Sequence, residues 1–259
     1  MSTFLFSQII FGPVKSRRLG VSLGVNLLPN DCKVCNFNCI YCECGWTPNT
    51  PPDFNRFHNK DDIRNALRKK LEQMKKNNEV LDVITFAGNG EPTLHPDFPD
   101  IINDTINARN EIYPEAGIAV LSNATTIHSE KIFNILKLVE YNILKLDSVY
   151  EKTIRLLNNP TGHYDLQRTI QKLKSYNGNF ILQTMFVRGN YNGVEIDNTK
   201  KEEVDAWINM VNEVNPKMVM IYTIARDTPL HSLEKIPLNV LNMIASKIRA
   251  YGFNVQVSG

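Results

Sequence analysis

Cys35, Cys39 and Cys42 fall in the stretch Cys35-Asn-Phe-Asn-Cys39-Ile-Tyr-Cys42, and no other part of the chain carries so dense a set of soft metal ligands. Thiolates hold iron–sulfur clusters, one per iron in a four-iron cluster, so a loop offering three leaves one iron without a protein ligand. A competing assignment is zinc, whose structural sites want four closed ligands in two separated pairs. All five cysteines lie between Cys32 and Cys44, with no downstream pair and no HxxxH partner. A disulfide scaffold belongs to small secreted chains, whereas this one has 259 residues and shows no signal peptide pattern. Plain buried thiols remain the bland alternative.

A second motif follows about forty-five residues on, Phe86-Ala-Gly-Asn-Gly-Glu-Pro-Thr-Leu-His-Pro96. The apolar stretch Val80–Phe86 reads as a strand running straight into glycines, which let backbone approach a ligand closely or take positive φ. Pro92 then stiffens the exit. An ordinary strand-to-helix turn would look similar.

Both motifs need elements to carry them. The chain alternates strand-like and helix-like segments, the pattern of parallel βαβ units. Strands are expected at Val21–Leu27, Val80–Phe86, Gly117–Asn123, Tyr141–Asp147, Phe180–Val187 and Lys217–Ile224, with a short seventh at Phe253–Val257. Helices are expected near Lys60–Lys76, Asp97–Ile112, Ser129–Val139, Val149–Leu157, Asp165–Tyr176, Lys200–Val214 and Leu238–Tyr251. Apolar runs such as that from Gly117 suit buried parallel strands. Periodicity alone leaves a doubly wound sheet and an open barrel both standing.

With aromatic Tyr41 before its last cysteine, the CxxxCxφC loop resembles that of the radical S-adenosylmethionine (SAM) superfamily. The resemblance implies a partial (β/α)6 TIM-type barrel, open on one side, with a [4Fe-4S] cluster held by Cys35, Cys39 and Cys42. In that family SAM chelates the open iron and is reductively cleaved to methionine and a 5′-deoxyadenosyl radical. By the same resemblance Gly88, Gly90, Glu91 and Pro92 match a GGEP-type segment that binds the SAM amino group, with Asn89 between the glycines as a departure. Active residues on a barrel belong at the C-terminal strand ends. In related enzymes polar side chains after strands four and five meet the SAM ribose and carboxylate, and the resemblance carries that role to Asp147 and, after it, to Gln183, Arg188 and Asn123, although capping of the next helix is an equally simple role. Ile224, Ala225 and Tyr41 are assigned to the adenine side.

The lead-in Phe11-Gly-Pro-Val-Lys-Ser-Arg-Arg-Leu-Gly-Val-Ser-Leu-Gly-Val25 resembles one branch of the superfamily, the Fe–S oxidoreductases related to the wybutosine (tRNA) synthesis enzyme. Lys15 replaces that branch's second proline. The tRNA enzyme uses a second cluster, and here only Cys32 and Cys44 are spare. They read as free thiols, with a partial ligand set or a catalytic thiol as the sharper alternatives, since two ligands do not complete a four-iron site.

Composition restrains the substrate only weakly: 29 basic residues oppose 27 acidic ones, for a net charge of +2. Lys15, Arg17 and Arg18, and the helix bearing Arg64, Arg68, Lys69, Lys70, Lys75 and Lys76, are possible phosphate contacts. The interspersed Asp61, Asp62, Glu72 and Glu79 favour a solvated face. The five histidines are scattered, no Ser–His–Asp set or carboxylate dyad stands out, and Arg188–Asn198 reads as a lid or a solvated loop.

One domain is expected over 1–259, comprising a lead-in (1–20), a cluster loop (31–46) and a core of ordinary hydrophobicity. The reading is a cytoplasmic radical SAM enzyme served by a flavodoxin- or ferredoxin-like donor, with no membrane or DNA partner. Its substrate is an RNA base in first preference or a peptide or protein, glycyl-radical activation included. A non-catalytic iron–sulfur redox or sensing protein and a zinc module are the alternatives from other classes.

Overall fold

The computed structural model describes residues 4–16, 18–50 and 53–259. Strands β1 (Ile10–Ser16), β2 (Gly20–Val25), β3 (Val83–Phe86), β4 (Gly117–Ser122), β5 (Tyr141–Lys145) and β6 (Ile181–Met185) are laid side by side in chain order. The sheet continues through β9 (Met218–Tyr222) and β11 (Val255–Ser258). Every pairing is parallel except β1 with β2. Helices α1 (Lys60–Lys76), α2 (Phe98–Ile112), α3 (Glu130–Leu136), α4 (Glu151–Leu157), α5 (Leu166–Lys174), α6 (Lys201–Val214) and α7 (Leu238–Arg249) form the crossovers. The result is a curled eight-strand half-barrel, the partial TIM-type (β/α)6 barrel expected above, with β1 and β11 as unpaired edges.

Period-two alternation divides each strand between two environments. One parity, including Ile84, Phe86, Ile118, Val120, Leu144, Leu182, Val219 and Ile221, packs outward into the main core. Helical stripes meet it there: Ile63, Leu67, Leu71 and Met74 of α1 lie three or four residues apart and are all buried. The other parity, Val83, Ala119, Ile143, Ile181 and Met220, forms a separate apolar cluster in the lumen.

Two parts of the architecture differ from the sequence expectation. β1 is an antiparallel edge strand within the lead-in, with Gly12-Pro13 at its register shift; a proline is tolerated there because an edge needs fewer ladder donors. The stretch Arg188–Asn198 is a hairpin of β7 (Val187–Tyr191) and β8 (Val194–Asp197), joined by β10 (Leu233–Lys235) into a three-stranded antiparallel sheet. The buried Asn198 pins it to the barrel through bonds to the Asp147 and Met185 carbonyls (3.0 and 2.7 Å). On α1 two of the basic residues are spent on neighbours: Arg64 meets Asp61 at 2.9 Å and Arg68 meets Glu111 at 2.7 Å. Arg17 lies outside the described residues.

Asn89 ties the lead-in, the start of the cluster loop and the β3 exit together. Its side-chain amide donates to the carbonyls of Phe6 (2.9 Å) and Pro29 (2.8 Å), and its Oδ1 accepts from the Phe6 N–H (2.8 Å). Asn89→Gly, which removes all three bonds, is expected to cost about 2–4 kcal/mol, because buried backbone groups are left unpaired. Urea denaturation measures this, and a loss below about 0.5 kcal/mol would show that the three bonds are energetically idle.

Candidate functional site

The cluster loop leaves β2 and is clamped on both flanks. On one side Val34 and Gly90 form a parallel bridge, the Val34 N–H donating to the Asn89 carbonyl (2.8 Å) and the Glu91 N–H to the Val34 carbonyl (3.0 Å). Gly90 is required there: its φ is +139°, and an added Cβ would overlap the Val34 carbonyl. On the other side the end of α4 supplies acceptors, with Ile40 N–H donating to Leu157 (3.0 Å) and Asn38 N–H to Asn158 (2.9 Å). The thiols are therefore held by backbone ties to the β3 exit and to α4.

Polar groups converge on the sulfurs. Asn123 Nδ2 lies 3.5 Å from Cys35 Sγ, Asn158 Nδ2 lies 3.5 Å from Cys39 Sγ, and the Phe37 N–H points at Cys35 Sγ (3.4 Å). Burial pushes the Cys35 thiol up to about 12. Its neighbour Cys44 draws the Cys42 thiol down, against burial and with help from Lys33. Lys33 is buried, yet the neighbouring thiols, Cys42 foremost, hold its ammonium above the usual lysine range; its Nζ also donates to the Gly45 carbonyl (3.0 Å). One buried cation beside three thiols, with amide donors aimed at two of them, suits a set that carries negative charge when ligated. Among the described residues, no group of three or more His, Cys, Asp or Glu side chains is gathered as a ready site for a metal ion.

Glu91 is buried at the β3 exit. Its carboxylate accepts from Thr93 N–H (3.2 Å), from Thr93 Oγ1 (2.5 Å) and from Asn123 N–H (2.6 Å), while burial pushes its pKa up. The Gly88-to-Pro92 segment and Asn123 thus meet the cluster loop at the C-terminal strand ends. Gly88 packs against the Asn26 side chain, and Pro92 opens a 3-10 turn capped by Glu91.

Asp147 follows β5, and both of its oxygens are engaged. Oδ1 accepts from the Met185 N–H (2.8 Å). Oδ2 accepts from Asn158 Nδ2 (2.7 Å) and from the Tyr41 hydroxyl, and Lys145 Nζ lies 3.8 Å away. Lys145 in turn donates to Tyr222 Oη (2.5 Å) and sits 4.5 Å from the Tyr41 ring centroid. Sequence reasoning singled out neither Lys145 nor Asn158. Lys145 had a signal, a lone cation in a strand of buried parity; Asn158 at a helix end had none.

The remaining candidates are dispersed. Gln183 lies deeper in the lumen, paired in register with Lys145 and Met220. Arg188 sits on β7, engaged with Glu234 at 3.0 Å on the side sheet and apart from the thiols. Ile224 packs at the edge of the main core beyond β9, and Ala225 next to it is exposed. Cys44 Sγ donates to the Gly88 carbonyl (3.4 Å), whereas Cys32 lies on the outer side near Asp31 and Arg56.

Fold and loop together define a class of half-barrel that carries a cysteine-rich loop at the C-terminal ends of its strands. A model of the radical SAM superfamily matches residues 30–202, and the chain belongs to that superfamily. A Brachyspira hyodysenteriae protein bearing the name GTPase Obg is 30% identical over 86% of this chain and 31% of its own length. A UPF0026 protein of Methanocaldococcus jannaschii is 33% identical over 69% of this chain and 54% of its own. The chain therefore spans about a third to a half of these relatives. Among solved structures, a radical SAM methyltransferase from Sphaerobacter thermophilus superposes with a TM-score of 0.66 at 15% identity, covering 92% of this chain and 65% of that one. SuiB of Streptococcus suis bound to S-adenosylmethionine gives 0.62 at 16%, covering 91% and 50%. Archaeal TYW1 gives 0.53 at 10%, covering 88% and 71%. These three share the fold.

The Asp147 network yields a prediction. Asp147→Ala leaves the Tyr41 hydroxyl and the Met185 N–H without their acceptor and the buried Lys145 ammonium without its counter-charge, and is expected to cost about 3–5 kcal/mol, the range for breaking a buried charged pair. Tyr41→Phe, which removes one donor, is expected to cost about 1–2 kcal/mol. Denaturant midpoints for both variants measure the contrast, and equal losses would show that Asp147 holds nothing beyond Tyr41.

Proposed function

We propose that this protein is a radical SAM enzyme that abstracts hydrogen from its substrate. The observation that carries the reading is the anchoring of the Cys35–Cys39–Cys42 loop to the Gly88-to-Pro92 segment through the Val34–Gly90 bridge, which sets three thiols beside a glycine-rich strand exit. When bound to these thiolates, a [4Fe-4S] cluster supplies the electron that cleaves SAM to methionine and a 5′-deoxyadenosyl radical. The protein's part is to bind, orient and exclude water.

Cys35, Cys39 and Cys42 are the proposed ligands. Lys33 offsets their charge, and the Asn123 and Asn158 amides donate to the sulfurs. Gly88, Gly90, Glu91 and Pro92 form the segment proposed for the SAM amino group, with Glu91 as the nearby buried carboxyl. Because Asp147 is committed to Tyr41, Asn158 and Met185, we assign it the positioning of Tyr41 and Asn158, with any contact to the SAM ribose secondary. Reduced thiols fit a cytoplasmic setting. No helix among the described residues is long and apolar enough to cross a membrane. A flavodoxin- or ferredoxin-like protein is the proposed donor. The lead-in, which resembles that of the wybutosine branch, favours an RNA base as substrate. Peptide modification is the second reading, supported by the fold shared with SuiB, which has been solved bound to its precursor peptide SuiA at a TM-score of 0.64.

Anaerobic reconstitution, reduction with dithionite and addition of SAM should release 5′-deoxyadenosine from the wild-type chain and reduce it at least tenfold in Cys39→Ala. A full cluster with no release, with or without RNA and peptide pools, would favour an electron-transfer or sensing role, and bound zinc without iron would overturn the reading. Lys33→Met should lower the cluster's reduction potential, because the added electron loses a neighbouring buried cation; an unchanged potential in EPR-monitored titration would remove Lys33 from the proposed electrostatics.

A further inference from the structure

The lumen holds a cavity of about 720 Å³, within the range of small-ligand sites. Leu121, Ile143 and Met220 form its apolar floor, and Ser22, Thr85 and Gln183 add polar atoms. Ser22 and Thr85 hydroxyls bond each other at 2.8 Å. Phe11 covers Gly24 on the β2 wall and stacks on Phe6, with ring centroids 3.7 Å apart.

Arg18 stands at the seam of this cavity, in the turn between β1 and β2. Its carbonyl accepts from Gln256 Nε2 of β11 (3.3 Å) and its N–H donates to Ser16 Oγ (3.2 Å), so its backbone is tied to both edges of the open barrel. Its guanidinium lies over the Tyr222 ring, 4.9 Å from the centroid. Tyr222 is itself fixed by Lys145. Yet Arg18 Nη1 is buried without a hydrogen-bond partner. A buried cationic donor lacking an acceptor is costly. At the mouth are two carboxylates, Glu43 and Asp227; Glu43 is taken by Arg226 at 2.7 Å. Lys15 adds a further positive charge.

We propose that this lumen cavity is the substrate site and that its substrate carries an oxyanion, a carboxylate or a phosphate monoester, bound by Arg18. The proposal rests on the radical SAM reading and narrows its substrate class. A planar guanidinium held on an aromatic face is preorganised for two-oxygen anions. The hydrophobic floor takes the carbon skeleton, and Gln183, which the resemblance placed on SAM, reads a polar edge of the substrate instead.

The test is isothermal titration calorimetry on the anaerobically reconstituted protein with two probe pairs that differ only in the anion: uridine 5′-monophosphate against uridine, and N-acetylglycine against N-acetylglycinamide. At least one anion is expected to bind about tenfold or more tightly than its neutral counterpart, and the pair that responds identifies the source of the oxyanion. Arg18→Gln should erase the preference, and Arg18→Lys, which keeps the charge but loses the planar fork, should weaken it severalfold. No preference in either pair, or a preference that survives Arg18→Gln, overturns the proposal; should Arg18→Gln not fold, an undiminished preference in Arg18→Lys overturns it equally. Binding is read without turnover, so failure here leaves Cys39-dependent SAM cleavage intact, and failure of that cleavage leaves the calorimetric result standing.

Discussion

Three thiols crowded into one buried loop constrain the rest of the site. Burial pushes the Cys35 and Cys39 thiols up. Shape comes from the backbone: the Val34–Gly90 bridge on one flank and the carbonyls at the end of α4 on the other. Charge compensation comes from Lys33, which sits close enough to all three sulfurs for each to raise its pKa. The ties that fix the loop run through main-chain atoms.

The Asp147 network extends this support toward the barrel. Cys39, Asn158, Tyr41, Asp147, Lys145 and Tyr222 form a continuous chain of contacts from a sulfur to the wall of the lumen. Its members come from the cluster loop, α4, β5 and β9. A buried polar network of this kind rigidifies what it touches, even with the Asn158 Oδ1 left unpartnered. The cluster loop and the lumen are thereby mechanically one unit.

Legibility in the sequence followed how local each signal was. The cysteine spacing, the glycine-rich exit and the βα alternation are short-range patterns, and the helix expected over Lys60–Lys76 coincides with α1 because its apolar stripe and charged ends lie within it and its caps, Asn59 and Asn77, directly flank it. β1 was hidden because an edge strand interrupted by Gly12-Pro13 lacks alternation, and the Arg188–Asn198 hairpin because its polar residues and glycines are those of a loop. Asn89 looked like an insertion in a GGEP-type motif; its three bonds reach Phe6 and Pro29, contacts that no local pattern announces. The distinction between Asp147, drawn into the network, and Arg188, carried off to the side sheet, depended on tertiary placement alone.

The lead-in also acquires a physical role from this arrangement. A half-barrel leaves its lumen open between the first and last strands, and here the turn from β1 to β2 reaches across that gap to Gln256 of β11. The same turn delivers Arg18 to Tyr222, and the aromatic residues before it line the cavity mouth. Were the lead-in only an edge protector, an apolar or neutral residue at position 18 would close the seam at lower cost, since a guanidinium nitrogen brought out of water without an acceptor is penalised. Placing an arginine there makes sense when an acceptor arrives with the substrate, so the element that closes the barrel is also the one that selects what enters it.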